Sequence, residues 1–290
     1  MPKVSVILPT YNRVNYLLES VNSILEQSFT DFELIISDNA STDNTEEIVK
    51  GIKDKRIVYN RNAKNIGVSR NYNKCLELCT GEYIQIFSDD DIMMKDCLSK
   101  SVSILDGNLD VGLVHTDIKM IDAQGKIISN SHWANMAWKK WATVHNSSKL
   151  FNKETYHKYL YRIQNIICMP TVMIRKSIIS KIGYMDEALK VLVDLDYWLK
   201  ITLFSDVYFI NEKLVYYRTH PGSTYLHDSS IDVNKRELEH IKNSLKNNFS
   251  ESTIVNNKLQ DVMQTSMFYF HYNYLALGMA LVKSILRIKK

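Results

Sequence analysis

Three consecutive carboxylates, Asp89, Asp90 and Asp91, follow the run Tyr83-Ile84-Gln85-Ile86-Phe87 with Ser88 between them. Four of those five preceding residues are apolar or aromatic, the composition of a strand buried on both faces. The acids therefore fall at the C-terminal end of a strand, where open α/β sheets bind ligands. Carboxylates crowded together repel one another, an arrangement that is costly unless a cation or hydrogen-bond donors sit between them. Hard divalent cations such as Mg²⁺ and Mn²⁺ choose oxygen ligands of this kind. The competing reading is a solvated acidic turn that caps the next helix; the position after a buried strand favours a metal.

The elements that would position these acids follow from periodicity. Residues 4–8 read as a first buried strand closed by Pro9-Thr10-Tyr11-Asn12-Arg13, and Tyr16, Leu17, Val21, Ile24 and Leu25 then recur at helical spacing. Residues 32–37 form a second strand, followed by Asp38-Asn39-Ala40-Ser41-Thr42-Asp43 and a helix beginning near Asp43 with Glu46 in capping-box spacing. Residues 56–59 are a third, short strand; Asn65 to Asn71 lead into a helix reaching about Cys79, which Gly81 ends. Strand-helix alternation of this kind within ninety residues implies a mostly parallel, doubly wound sheet with right-handed crossovers. Thr10, Asp38 and Asp89 to Asp91 each follow a strand, so they converge on one edge.

Further along, residues 111–121 and 126–129 alternate around Asp122-Ala123-Gln124-Gly125, a hairpin signal. Residues 171–175 read as a strand, 176–182 as a helix, 194–200 as the opening of another, and 207–210 and 214–217 as short strands. Residues 132–163 mix Trp133, Trp138, Trp141 and several tyrosines with lysines and carry no clear period, whereas 232–290 is helical in pattern. This divides the chain into an α/β domain over 1–225 (halves 1–110 and 111–225) and a helical C-terminal extension over 226–290.

Bulk properties narrow the class. An apolar fraction of 45% over 290 residues is that of a globular protein. The net charge of +4 is uneven: residues 1–130 carry −5 and residues 131–290 carry +9. The first part is suited to holding a cation and the second to meeting something anionic. Cys75, Cys79, Cys97 and Cys168 lack paired metal-type spacing and read as reduced thiols in a cytoplasmic compartment, Cys75 and Cys79 on one buried helix face. A strand pattern starts at the N-terminus without a signal-peptide h-region, so export by that route is not expected. The apolar stretch 267–286 is interrupted by His271, Asn273 and Lys283, so a membrane span is not expected either.

Taken together, Val4 to Arg13, Ser37 to Asp43, Asn65-x-Gly67, the acidic run and Tyr217-Arg218-Thr219-His220-Pro221-Gly222-Ser223 resemble the inverting family-2 glycosyltransferases of GT-A fold, over residues 3 to about 224. The resemblance implies a GT-A type sheet and transfer of a sugar from a nucleoside diphosphate donor, a UDP-sugar, to a carbohydrate or lipid-linked glycan in bacterial surface polysaccharide assembly. Carried onto this chain, it gives Pro9, Thr10, Tyr11, Arg13, Asp38, Asn65, Gly67 and Arg70 to the donor nucleotide, with Asp38 accepting the base imide N–H. Asp89 is given to the ribose, and Asp90 with His220 to a divalent Mn²⁺ or Mg²⁺ bridging the phosphates. The family pattern is Asp-x-Asp-Asp; here Ser88 stands first, so either its hydroxyl or Asp89 takes the ribose contact. Asp91 orients the loop or caps the next helix.

For inversion, a carboxylate on the acceptor side must remove the hydroxyl proton. The family often places Glu-Asp before a helix of Asp-Leu-Trp-Leu-Arg type. Val193-Asp194-Leu195-Asp196-Tyr197-Trp198-Leu199-Lys200 is similar, with Val193 in place of Glu, which implies Asp194 as general base and Asp196 as runner-up. Peripheral membrane contact through the basic end of the C-terminal helix is a further expectation. No nucleic-acid partner is expected. The rivals are a sugar nucleotidyltransferase, which should carry a Gly-rich phosphate loop that Pro9 to Arg13 is not, and a non-catalytic nucleotide-sugar or glycan-binding subunit.

Overall fold

A computed structural model describes residues 1–128, 147–163, 165–222 and 231–249. Strands β1 (Val4–Thr10), β2 (Phe32–Asp38), β3 (Ile57–Arg61) and β4 (Tyr83–Ile86) lie in the order β3-β2-β1-β4, all parallel. The crossovers are α1 (Val14–Leu25), α2 (Thr45–Gly51) and α3 (Val68–Leu78). Side chains alternate across a strand, and β1 shows the consequence. Val4, Val6 and Leu8 pack with Leu17, Val21 and Ile24 of α1, while Ile7 packs with Tyr72, Cys75 and Leu76 of α3. Both faces are covered, as a parallel sheet requires.

The second half is mixed in direction. After β5 (Ile92–Met93) and α4 (Cys97–Gly107) comes the long β6 (Val111–Ile121), then β7 (Lys149–Phe151), α5 (Lys153–Ile163), β8 (Met173–Arg175), the single turn α6 (Ile179–Ile182), α7 (Val193–Ile201), β9 (Asp206–Arg218) and α8 (Ile231–Asn248). β8 inserts antiparallel between β4 and β6, β9 runs parallel to β6, and β5 and β7 both pair antiparallel with β9. The expected doubly wound α/β sheet is present, and it is the second half that departs from parallel. The hairpin turn forms as expected: Gly125 has φ +81° and its N–H bonds to Asp122 O at 3.0 Å.

Three local readings are corrected. Residues 206–218 are one strand where two were expected, because a bulge absorbs the break: between Thr116 and Asp117 of β6, the partner on β9 moves from Ile210 to Lys213. Glu46 makes no capping box. Asp43 Oδ1 instead bonds Thr45 N at 3.1 Å and Thr45 Oγ1 at 2.6 Å, which leaves Glu46 to pair with Lys50 and Arg61. β5 and β7 were unanticipated, being two and three residues long, too short to carry a period.

α7 is the hub of the larger core, with Tyr197 and Trp198 fully buried among residues of β1, α3, α5 and β8. Ile241 and Leu245 of α8 belong to that same core, so α8 packs against the body that α7 centres. The aromatic segment 129–146 and the tail 250–290 lie outside the described residues. Among the described residues, no helix is long and apolar enough to cross a membrane.

The start of β4 depends on one close approach. A Cβ on Gly81 would stand 2.6 Å from Ser5 N and 2.8 Å from the carbonyl carbon of Val4, both backbone atoms of β1 that cannot yield cheaply. Gly81→Ala is therefore expected to destabilise the protein by about 1–3 kcal/mol, read as a lower urea midpoint at unchanged slope.

Candidate active site

The strand ends bring the predicted residues to one edge. Thr10 and Asp38 are register partners, and Phe87 N–H bonds Ile7 O at 3.0 Å, so the acids emerge beside both. Beyond the acids the chain doubles back into β5, where Ile92 pairs with Tyr216 of β9. This delivers Arg218 and His220 to the acidic turn from 127 and 130 residues away in sequence. α1 fastens the same turn from the other side: Ser20 Oγ donates to Asp91 O at 2.6 Å, and Ser23 Oγ accepts Met93 N–H at 3.0 Å.

The three carboxylates occupy three environments. Asp91 is 1% exposed; its Oδ1 accepts the Arg218 N–H at 2.8 Å, and burial first, then the Asp90 charge, hold its carboxyl well above the ordinary range. It orients the loop, as the sequence suggested. Asp89 is pushed up to about 7 by burial and then by Asp90, an effect partly offset by the Thr10 hydroxyl and the Tyr11 amide that face it. Asp90 turns outward, and its Oδ2 lies 2.9 Å from His220 Nε2. Ser88 lies beside Tyr72, whose hydroxyl is held protonated chiefly by burial and then by Asp89.

Arg218 is 3% exposed and braces this turn: Nε donates to Asp90 O at 2.7 Å, and Nη2 donates to Glu19. Its guanidinium stacks 5.0 Å from the Tyr16 ring, and Tyr16 in turn lies 4.8 Å from the His220 ring. Arg13, predicted to serve the nucleotide, instead rests against the loop that ends the site. Its Nη1 lies 3.3 Å from His220 Nδ1 and 3.2 Å from Nε2, against the imidazole as a whole, and Nη2 donates to Gly222 O.

The residues assigned to the base are tied together. Asp38 is fully buried and already accepts from Ser41 N–H at 2.8 Å and Tyr59 Oη at 2.8 Å, with Arg61 Nε at 3.4 Å. Asn39 donates to Asn65 Oδ1 at 2.9 Å and accepts from Ile66 N–H at 2.9 Å, which shapes the turn before α3. Gly67 is required there by its φ of +89°, not by space, since a Cβ would meet nothing within 4 Å. Arg70 leaves the group: it pairs with Glu187 at 2.7 Å on the surface. Asn12 (φ 52°) and Ala40 (φ 61°) hold left-handed conformations in the loops after β1 and β2, which are laced by Asn12 Oδ1 accepting Thr42 N–H at 2.8 Å.

Across the site, Asp194 sits in the first turn of α7, half-buried, accepting from Asn165 Nδ2 and from Leu195 N–H at 2.8 Å. Burial raises its carboxyl to about 6 against the pull of those donors, and Glu237 adds a smaller rise. Burial is the main reason the Cys168 thiol and the Tyr217 hydroxyl are both held protonated, and the charges of Asp91, Asp90 and Asp194 add smaller rises to each. Asp196 is withdrawn as a base: it is 0% exposed and faces inward to Lys200 Nζ at 2.6 Å. Sequence reasoning passed over Asn165, Tyr16 and Asn39. Only Asn39 carried a signal, its place in the loop after β2.

Two donor atoms 2.9 Å apart, Asp90 Oδ2 and His220 Nε2, fit a divalent cation. Ligands about 2.1 Å from a six-coordinate ion stand about 3 Å from one another. Among the described residues no three His, Cys, Asp or Glu side chains converge on one point, so any remaining ligands would be phosphate oxygens and water.

The family model described as Glycosyl transferase family 2 matches residues 5–183. An uncharacterized glycosyltransferase of Methanocaldococcus jannaschii is 32% identical over 236 residues, spanning 78% of this chain and 73% of that protein. A GalNAc(5)-diNAcBac-PP-undecaprenol beta-1,3-glucosyltransferase of Campylobacter jejuni is 41% identical over 103 residues, 34% of this chain and 33% of its own length. The structure of S. aureus TarS 1-349 in complex with UDP-GlcNAc shares the fold, with a TM-score of 0.68 at 20% identity, covering 91% of this chain and 71% of that one.

The brace at Arg218 makes a prediction independent of any ligand. Arg218→Met keeps the aliphatic stem but removes the donors to Asp90 O and Glu19, so it should lower stability by about 1–3 kcal/mol in urea unfolding, and the Tyr16 and His220 contacts should loosen with it.

Proposed function

The chain belongs to glycosyl transferase family 2, and from that premise we propose that it transfers a sugar from a nucleoside diphosphate donor, a UDP-sugar, to a carbohydrate or lipid-linked glycan hydroxyl, with inversion at the anomeric carbon. The observation that carries this reading is the pairing of Asp90 with His220 at the acidic turn, together with a separate half-buried carboxylate, Asp194 of α7, held by Asn165 and the Leu195 N–H. That is the separation of tasks an inverting displacement needs: one group of residues receives the leaving diphosphate, and one carboxylate receives the acceptor's proton.

Donor binding engages the strand ends. Thr10, Tyr11 and Asp89 form the wall on which the ribose rests. The asparagine-ordered turn at Asn65 and Gly67 and the loop braced by Asp38 lie next along the edge, on the side of the base. Asp90 and His220 would hold Mn²⁺ or Mg²⁺, which when bound supplies positive charge to the departing diphosphate. Asp194 accepts the hydroxyl proton as that oxygen attacks; Asn165 holds the carboxylate in place while it does so.

The activity named for the Campylobacter relative, on an undecaprenol-linked glycan, and the UDP-GlcNAc bound to TarS support the choice of acceptor and donor. The sugar transferred is a matter for a donor panel. A cytoplasmic location in surface polysaccharide assembly belongs to the same proposal, as does membrane contact by the basic end of the tail, which lies outside the described residues.

Release of nucleoside diphosphate from a panel of nucleotide sugars in the presence of Mn²⁺ and mixed acceptors tests the reading; a binding subunit would release none, and a nucleotidyltransferase would form nucleoside triphosphate from pyrophosphate. Asp90→Ala is expected to abolish Mn²⁺-dependent donor binding in calorimetry. Asp194→Asn should leave donor binding intact and lower kcat by about 10²–10⁴-fold. Because the working form of Asp194 is the carboxylate and its raised value is about 6, kcat should be flat above that pH and fall about tenfold per unit below it. A profile flat to pH 4.5 would place the base elsewhere.

A further inference from the structure

One charged side chain of α8 reaches into the framework beneath Asp194. Glu237 is 8% exposed, and its carboxylate accepts three successive backbone N–H groups. Oε1 takes Lys190 at 2.8 Å, and Oε2 takes Val191 at 3.0 Å and Leu192 at 2.8 Å. A buried carboxylate is tolerable when donors of this kind surround it. Leu192 is the N-cap residue of α7 and Asp194 the second residue of that helix, so the clamp closes immediately before the proposed base.

The loop it grips is otherwise held from α3. Asn73 Nδ2 donates to Met185 O and its Oδ1 accepts Met185 N–H, both at 2.9 Å, and Ser69 Oγ donates to Leu189 O at 2.9 Å. α8 closes the other side, through Glu237 and through His240, whose Nε2 lies 2.8 Å from Asp186 Oδ2. These two contacts do different things. The His240 pair is partly exposed and fastens the far end of the loop, whereas Glu237 fixes the backbone at the point where it turns into α7. A helix is stiff, so the direction in which its first turn enters sets the direction of every side chain on that turn. Val193 stands where the family pattern places Glu, and in this chain the second carboxylate near Asp194 comes from α8, beyond residues 5–183 that the family model matches.

We infer that Glu237 is a positioning residue for the transfer reaction: by binding the N–H groups of Lys190, Val191 and Leu192 it sets the entry of α7 and thereby aims Asp194 at the acceptor hydroxyl. The inference rests on the reading of Asp194 as the base. It makes α8 part of the catalytic apparatus without any contact to donor or acceptor.

The test combines turnover with amide exchange on the full chain. With Mn²⁺ and the donor that supports turnover, Glu237→Ala should lower kcat by about tenfold or more while the donor KM moves by less than about twofold. Exchange at the amides of residues 190–192 should rise, with β1 and β4 unchanged. Glu237→Gln keeps a carbonyl acceptor but loses the charge, so it should give a smaller loss. Its acid limb should also lie at lower pH, since Glu237 is among the groups that raise Asp194, the other titratable neighbours Cys168 and Tyr217 being held neutral by burial. His240→Asn, which loosens α8 at its other polar contact, should keep wild-type kcat.

Wild-type kcat in Glu237→Ala, or a lower kcat with exchange at 190–192 unchanged, overturns the inference. If Glu237→Ala loosens β1 and β4 too, Glu237→Gln decides, and wild-type kcat with an unmoved acid limb in that variant overturns it. Normal turnover in Asp194→Asn would instead sink the base assignment, and the exchange data would then report the hold of Glu237 on the loop by itself.

Discussion

Negative charge packed at the end of a buried strand is the constraint around which this site is built. Asp89, Asp90 and Asp91 are consecutive, and in a low-dielectric pocket their mutual repulsion can be borne only if each has a separate environment. The turn after β4 provides this by aiming them apart. Asp91 goes inward to the Arg218 amide, Asp89 to the end of β1, and Asp90 outward to His220. Arg218 braces the turn through the Asp90 carbonyl and Glu19, so its guanidinium does not occupy the Asp90 carboxylate, which stays with His220.

That solution needs β9 beside the acids, and the mixed half of the sheet exists to bring it there. Two residues of β5 suffice, because Ile92 and Met93 pair with Tyr216 and Val215 and are fastened from behind by α1. The bulge between β6 and β9 lets the longer path of β9 stay in register to its end, where Ile121 faces Arg218. Next to the acids, the loops after β1 and β2 hold two non-glycine residues in left-handed conformations, strain of the order of 1–2 kcal/mol each. They remain in place because hydrogen bonds among Asn12, Ser41 and Thr42 over-determine them.

Helix α7 shows how a two-residue spacing separates two acids. Residues i and i+2 on an α-helix point about 200° apart, so Asp194 and Asp196 cannot both face the site. Lys200 stands four residues after Asp196, on the same inward face, and the two charges pair in the core at 2.6 Å. Asp194 is left toward the cleft with Asn165, and Glu237 sets the angle at which its helix begins.

Much of this was legible in the chain itself. Buried runs at residues 4–8, 32–37 and 83–87, each closed by polar residues and separated by helical periods, dictate a parallel sheet with Thr10, Asp38 and the acids at one edge, because pleat and crossover handedness leave few alternatives. Of the two places the sequence allowed Asp91, orienting the loop or capping the next helix, its bond to the Arg218 N–H fits the first. What periodicity could not supply is which distant side chains meet. Arg13 was given to the nucleotide and rests on His220; Arg70 was given to the donor and pairs with Glu187; Glu46 was given to a cap that Asp43 takes. The two arginine contacts span 207 and 117 residues and are settled by how loops close on one another once the sheet has formed, whereas Asp43 takes the cap locally, through Thr45 two residues on. Sequence alone determined the strand ends and the chemistry placed on them. Only the tertiary structure decided which carboxylate faces the cleft and what holds it there, because orientation on a helix and partners across a loop are properties of packing, not of local pattern.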